Sequence, residues 1–274
     1  MDGFGRMGVM SSQQAIPAVP LGDGVSIPAI GLGTYALRGR RGYEAMRTAL
    51  DLGYRHLDTA TMYRNEAEVG RAVADSGLPR EDVFVTTKML ARAAGRERQS
   101  LDASLRELRL DYVDLWLIHW PPAASALVGA WQAFLDAREA GLARAVGVSN
   151  FSLAQLDQVT RATGQAPSVN QVDWSPSRHN PRFLAGLRER GVVAEGYSPL
   201  KGSNLRHPVL LRIAGRHQVT PAQVVLRWHL EHEIVIIPKS GDPGRQAANL
   251  DLAGFTLDPA EVSEIDQLGH SPLP

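Results

Sequence analysis

The run Val113-Asp114-Leu115-Trp116-Leu117-Ile118-His119 is almost continuously apolar and ends on an ionisable side chain. A run this short and this unbroken fits a strand covered on both faces, as in a parallel sheet, better than one with a face in water. Val83–Lys88 and Ile234–Pro238 read the same way. Working outward, five further short runs qualify as strands: Ile30–Gly33, Tyr54–Asp58, Arg144–Ser149, Ser168–Gln171 and Val192–Tyr197.

Helical patterns separate them. Leu101, Leu105 and Leu108 fall on one helix face, as do Leu127, Trp131, Phe134 and Leu135. Ser152–Gln155, Thr220–Gln223 and Asp258–Glu261 have the spacing of capping boxes, the last two with Pro at the first helical position. Gly141 is placed to end a helix just before the fifth strand. Eight strands alternating with helices predict an α/β protein, and the count of eight predicts a closed (β/α)8 TIM barrel, with a doubly wound open sheet as the alternative. Upstream, Val19–Ile27 with Asp23-Gly24 at its middle reads as a β-hairpin with a type I′ turn, placed to plug the bottom of the barrel. Residues 1–15 read as a flexible leader and residues 16–274 as one barrel domain, because no linker or low-complexity segment interrupts them.

The totals narrow the function classes. The chain has 274 residues, 44% of them hydrophobic and 21% charged, and Lys plus Arg balance Asp plus Glu for a net charge of zero. That balance argues against a nucleic-acid or membrane-surface partner and leaves a small molecule as the expected one. No apolar stretch reaches the ~18 residues of a membrane span. With no cysteine, thiolate metal sites and cysteine nucleophiles are excluded, and a cytoplasmic location and a monomer are the expectations. Lysine is scarce: Lys88, Lys201 and Lys239 stand against 26 arginines.

Three motifs carry no weight in context. Gly3-Phe4-Gly5-Arg6-Met7-Gly8 spells a dinucleotide fingerprint but has no strand before it or helix after it. Asn150-Phe151-Ser152 is a formal glycosylation sequon without a secretion signal. His229 and His232 share a helix face, yet no third ligand is visible beside them, so no metal site is expected.

The ends of the strands are informative. In barrel enzymes the catalytic groups come from the C-terminal ends of several strands, which meet at one rim. Here seven consecutive strands end in Asp58, Lys88, His119, Ser149-Asn150, Gln171, Tyr197 and Lys239-Ser240. Any one of them has a structural explanation as a cap, a core histidine or a solvated strand end. Their joint occurrence points to a site.

At this rim the sequence resembles the aldo-keto reductase family. Asp58-Thr59-Ala60-Thr61-Met62-Tyr63 is similar to its signature, and Thr86-Thr87-Lys88, Leu117–Pro121, Gly147–Phe151, Asn170–Val172, Tyr197–Leu200 and Ile237–Ser240 follow in the family's order and spacing. The resemblance runs from Ile27 to about Leu257 and is nearest the microbial diketogluconate reductase-like branch. It implies NADPH-dependent reduction of aldehydes and ketones. By motif position Tyr63 would be the general acid, Lys88 and Asp58 its tuning pair, and His119 the group that orients the carbonyl. Tyrosine titrates near 10, and an adjacent ammonium is expected to lower that value.

The resemblance also implies the cofactor contacts: Thr34, then Ser149, Asn150 and Gln171 at the nicotinamide carboxamide, Tyr197 stacked on the ring, and Ser198 and Leu200 at the pyrophosphate. Lys239, Ser240 and Arg245 would hold the 2′-phosphate, favouring NADPH over NADH, and Asn249 would meet adenine. Ala248 stands where the family often has an acidic residue, and Trp174-Ser175 where it commonly has an aromatic followed by His. Short segments after Lys88 and His119 and a short tail imply an open substrate pocket lined by Tyr35, Met89 and Trp120. Substrates expected from that pocket are small keto acids, keto sugars, glyoxals or aromatic aldehydes. Two other readings remain at this stage: an NADPH-binding regulatory subunit on the same fold, and an unrelated barrel lyase or isomerase.

Overall fold

The computed structural model describes residues 16–22 and 24–269. The Gly3–Gly8 fingerprint and the leader lie outside them, as does Asp23 of the hairpin turn. Strands β1 (Ala18–Gly22) and β2 (Val25–Pro28) form the expected antiparallel hairpin, with Val19 opposite Ile27. Eight parallel strands follow: β3 (Leu32–Gly33), β4 (His56–Asp58), β5 (Phe84–Met89), β6 (Val113–Ile118), β7 (Ala143–Ser149), β8 (Val169–Asp173), β9 (Val193–Tyr197) and β10 (Val235–Ile236). Each pairs with the next in sequence order. The ring closes where Ile30 bridges Ile236 in parallel, with Gly31 N–H donating to the Ile236 carbonyl at 2.8 Å and Ile236 N–H to Ala29 at 2.9 Å. This closure rules out the open doubly wound sheet: the fold is a (β/α)8 barrel.

Helices α1 (Gly39–Leu52), α2 (Glu66–Ala74), α3 (Glu97–Leu108), α4 (Ala124–Glu139), α5 (Leu153–Thr163) and α6 (Pro181–Glu189) link successive strands. Two helices, α7 (Pro208–His217) and α8 (Pro221–Glu231), lie between β9 and β10, and α9 (Pro243–Leu250) and α10 (Pro259–Asp266) follow the last strand. Capping boxes at Ser152, Thr220 and Asp258 start α5, α8 and α10, each N-cap side chain accepting from the backbone N–H three residues on. Gly141 takes the left-handed conformation just after α4, with φ of 73°.

Alternation along each strand divides the core in two. Outward-facing Trp116 and Ile118 pack against the helices, where Trp116 stacks on Phe134 of α4 with ring centroids 3.6 Å apart. Inward-facing Phe84, Leu115, Leu117 and Val169 close the lower interior together with Val25 and Ile27 of the hairpin, which therefore plugs the barrel as expected. The run beginning at Tyr54 enters the sheet only at His56, because the Tyr54 backbone N–H is used at the end of α1, where it donates to the Ala49 carbonyl at 3.0 Å.

Candidate active site

The same alternation that puts Phe84 in the plug puts Thr86 and Lys88 above it in the barrel interior. Leu115, Leu117 and His119 form the equivalent series on β6, and Val193, Glu195 and Tyr197 on β9. The interior therefore turns from apolar to polar as the strands rise, with buried His56, Thr86, Gln171 and Glu195 beneath the rim. Gly31 leaves the room for His56: a Cβ there would stand 2.4 Å from its Nδ1.

Lys88 anchors the rim. Its Nζ donates to Asp58 Oδ1 at 2.6 Å, to Asp58 Oδ2 at 2.7 Å and to the Thr59 carbonyl at 2.9 Å. An ammonium has three donors, and these three acceptors match that number. Both side chains are buried. Burial pulls the Lys88 pKa down, but Asp58 and Tyr63 outweigh it, and the lysine is held above its ordinary value as a cation. The only other lysines of the sequence, Lys201 and Lys239, also line the cleft at the rim.

Tyr63 sits in a 3-10 turn (Thr61–Tyr63) directly after β4. The Thr61 hydroxyl donates to the Lys88 carbonyl at 2.8 Å and ties that turn to β5. The Tyr63 ring lies 5.1 Å from Lys88 Nζ and meets the rings of His119 and Tyr35 edge-on at 5.8 and 5.2 Å. Burial raises the Tyr63 pKa, and the downward pull of Lys88 only partly offsets it. The expectation of a lowered phenol is thus corrected: desolvation penalises the phenolate more than one ammonium, itself neutralised by Asp58, can favour it. His119 is pushed down to about 3, first by burial and then by Lys88, so it is neutral at physiological pH. Its Nδ1 is buried with no hydrogen-bond partner.

A cleft of about 380 Å³ opens above these groups, lined by Asp58, Tyr63, His119, Asn150, Gln171 and Tyr197 together with Tyr35, Trp120, Ser198 and Lys239. Met62, Lys201 and Ile237 line it too, although none of them was among the expected catalytic, cofactor or pocket residues. Asn150 and Ser198, which directly follow β7 and β9, both have left-handed backbones, with φ of 63° and 55°. Non-glycine residues rarely take that conformation, and such strain gathers at functional sites. The Tyr197 hydroxyl donates to Asn150 Oδ1 at 3.0 Å, and Asn150 Nδ2 donates to Ser149 Oγ and to the His119 carbonyl.

Other expected residues fall outside the cleft. Met89 is corrected: it follows inward-facing Lys88, points the opposite way and is buried against the helix layer, not in a substrate pocket. Thr34 is fully buried with its hydroxyl on the Asp58 carbonyl at 2.9 Å. Ser240 and Asn249 are buried near α9, while the Arg245 side chain is 77% exposed, its Nε 3.9 Å from Asp242 Oδ1. Leu200 packs at the edge of the helix layer.

Glu195 is the residue that strand-end reading missed, because it lies one layer below the rim. Gln171 Nε2 donates both to Asp58 Oδ2 at 2.8 Å and to Glu195 Oε2 at 2.9 Å. The other Glu195 oxygen has no hydrogen-bond partner and is 3.8 Å from His56 Nε2. Burial first, then the charge of Asp58, raises the Glu195 pKa to about 8. The signal in the sequence was an acidic residue inside the otherwise apolar run Val192–Tyr197.

The sequence profile of the aldo/keto reductase family matches residues 29–270. The chain belongs to that family. Among curated relatives, this aldo/keto reductase is 44% identical to 2,5-diketo-D-gluconic acid reductase B of Corynebacterium sp., with 94% of this chain and 95% of the relative covered. It is 37% identical to methylglyoxal reductase DkgA of Escherichia coli, covering 91% and 92%. Among solved structures, an aldo/keto reductase from Brucella melitensis superposes with a TM-score of 0.90 at 37% identity, covering 93% of this chain and 98% of that one. A Bombyx mori aldo-keto reductase solved in complex with NADP has a TM-score of 0.86 at 32% identity over 93% of each chain.

Proposed function

We propose that this aldo/keto reductase reduces small aldehydes and ketones with NADPH, and that Tyr63 protonates the carbonyl oxygen. The observation that carries the reading is the buried Lys88 ammonium, held by Asp58 and the Thr59 carbonyl and set beside the Tyr63 phenol on the floor of the cleft.

The residues present fit a nicotinamide. Gln171 gives its amide nitrogen to Asp58 and Glu195, so only its carbonyl oxygen can serve a ligand, as an acceptor for a carboxamide N–H. The Tyr197 ring is held by its bond to Asn150 at the wall of the cleft, where an aromatic face suits stacking. When bound there, a reduced nicotinamide would supply hydride for the carbonyl carbon. The carbonyl oxygen then carries developing negative charge and needs a proton. Tyr63, kept protonated by burial, has that proton. Lys88 stabilises the phenolate left behind, and neutral His119 holds the oxygen by hydrogen bonding without competing as an acid. The neutral charge of His119 follows from the same burial and the same lysine.

Lys239, Ser240 and Arg245 would meet the 2′-phosphate, because two cations and a hydroxyl match a dianion. Asp242 stands against this: its carboxylate caps α9 and lies beside Arg245. Among substrates, the relatives acting on diketogluconate and methylglyoxal favour short polar carbonyl compounds, and the half-exposed Trp120 and Tyr35 at the mouth suit an open pocket. The test is NADPH oxidation with methylglyoxal and 4-nitrobenzaldehyde for the wild type and Tyr63→Phe. The variant should lose activity by two to four orders of magnitude, on the order expected for a general acid, while still binding NADPH. An active variant, or a wild type that binds NADPH and turns over no carbonyl, overturns the proposal.

A further inference from the structure

The histidine pair noted in the sequence separates in the fold. His229 is fully buried, with its ring nitrogens against the carbonyls of Val225 at 2.7 Å and Trp174 at 3.2 Å. His232, just past the end of α8, meets two residues far from it in sequence. Its Nε2 lies 2.8 Å from Asp266 Oδ1 at the end of α10. The Nε2 of His179, which follows the turn Pro176–Arg178 after β8, lies 3.6 Å from the same oxygen.

We propose that His179, His232 and Asp266 form a divalent transition-metal site that clamps α10 to α8 and to the turn after β8. The geometry is close to what an ion requires. Bonds of ~2.0–2.2 Å in a tetrahedron place neighbouring ligand atoms ~3.3–3.6 Å apart. Two sides of the ligand triangle, 2.8 and 3.6 Å, bracket that spacing, and all three ligand atoms lie within 4.8 Å of one another. Seating an ion there would exchange one His–Asp hydrogen bond, that of His232, for metal bonds.

The surroundings are those of a supported site. The Trp228 indole N–H donates to Asp266 Oδ1 at 2.8 Å, the kind of outer-shell donor that orients a metal-binding carboxylate. The Trp228 ring also stands steeply against both imidazoles, at 5.3 Å from His179 and 4.9 Å from His232, and limits their rotation. His179 is nearly buried, whereas Asp266 keeps 29% of its side chain exposed, which leaves an approach for the ion and a place for water as a fourth ligand. Two imidazoles and one carboxylate suit zinc, nickel or copper; magnesium and calcium prefer all-oxygen sites.

The site lies outside the catalytic cleft, so its test does not depend on the reductase reading. Tag-free protein stripped with chelator is titrated with zinc chloride by calorimetry and followed by thermal unfolding. One equivalent should bind saturably, and a hundredfold excess over Kd should raise Tm by about 5–10 °C. Magnesium chloride should do neither. His232→Gln and Asp266→Asn should weaken zinc binding at least tenfold, with carbonyl reduction by the metal-free proteins unchanged. His179→Gln keeps the Trp228–Asp266–His232 contacts intact and serves if the other two fold poorly. Failure to find one saturable equivalent, equal affinity for magnesium, or undiminished binding in all three variants would overturn the proposal.

Discussion

Replacing Lys88 by Met tests both the architecture and the chemistry of the rim. Methionine keeps much of the apolar stem and removes the ammonium, which makes three hydrogen bonds at 2.6–2.9 Å. Asp58 is then left as a buried carboxylate whose remaining side-chain partner is Gln171. Breaking a buried pair by deleting one partner costs about 3–5 kcal/mol, because the other charge stays uncompensated. For a chain of this size each kcal/mol shifts Tm by roughly 2–4 °C, so a fall of about 6–20 °C is expected. Urea unfolding at pH 7 measures the loss directly. Adding Asp58→Asn in the Lys88→Met background removes the stranded charge and should restore about half or more of the stability. Activity should not return, because the phenolate of Tyr63 has lost its counter-charge, and reduction should stay at least a hundredfold below wild type. If Lys88→Met is as stable as wild type, or if the double variant is no more stable than the single, Lys88 and Asp58 are not an interdependent buried pair.

Glu195→Gln should change the pH dependence of stability. Glu195 carries a proton up to about pH 8 when folded but ionises near its ordinary value of 4.5 when unfolded, so its burial costs progressively more stability as pH rises between those values. The variant should therefore gain on wild type from pH 4.5 to 8 and hold a constant advantage above, as read from urea midpoints; parallel curves would show that Glu195 does not titrate there. His56 and His119, both pushed down to about 3, act at the other end of the scale. The unfolded chain takes up protons on them below about pH 6.5, so stability should fall as pH drops from 6.5 toward 3, and His56→Gln should reduce that slope. Arg245→Ala should weaken NADPH at least tenfold and NADH little, measured by fluorescence titration; equal losses would separate Arg245 from the 2′-phosphate. Asp242→Asn retains an N-cap side chain and removes a negative charge, so NADPH should bind more tightly and NADH unchanged.

The order of elements, the barrel and the positions of Asp58, Lys88, His119 and Tyr197 were legible in the chain because they follow from local rules. Continuous apolar runs mark buried parallel strands, capping boxes mark helix starts, and a polar residue closing such a run marks the rim. Family likeness added Tyr63, which lies in a turn and ends no strand. What stayed hidden depended on groups distant in sequence. Met89 looked like a rim residue by position, but one step along a strand reverses the side chain, and the helix layer claims it. The Tyr63 pKa was expected to fall because the family resemblance puts the Lys88 ammonium beside it; it rises because the barrel removes the water that would stabilise the phenolate. Glu195 is joined to Asp58 only through Gln171, across three strands. His232 finds His179 and Asp266 only when α8, α10 and the turn after β8 are packed together. Sequence by itself determined which residues form strands, which of them close the runs and which reaction family they resemble. Tertiary structure decided burial, and burial set the protonation of Tyr63, His119 and Glu195, because the cost of a charge depends on the whole surrounding fold.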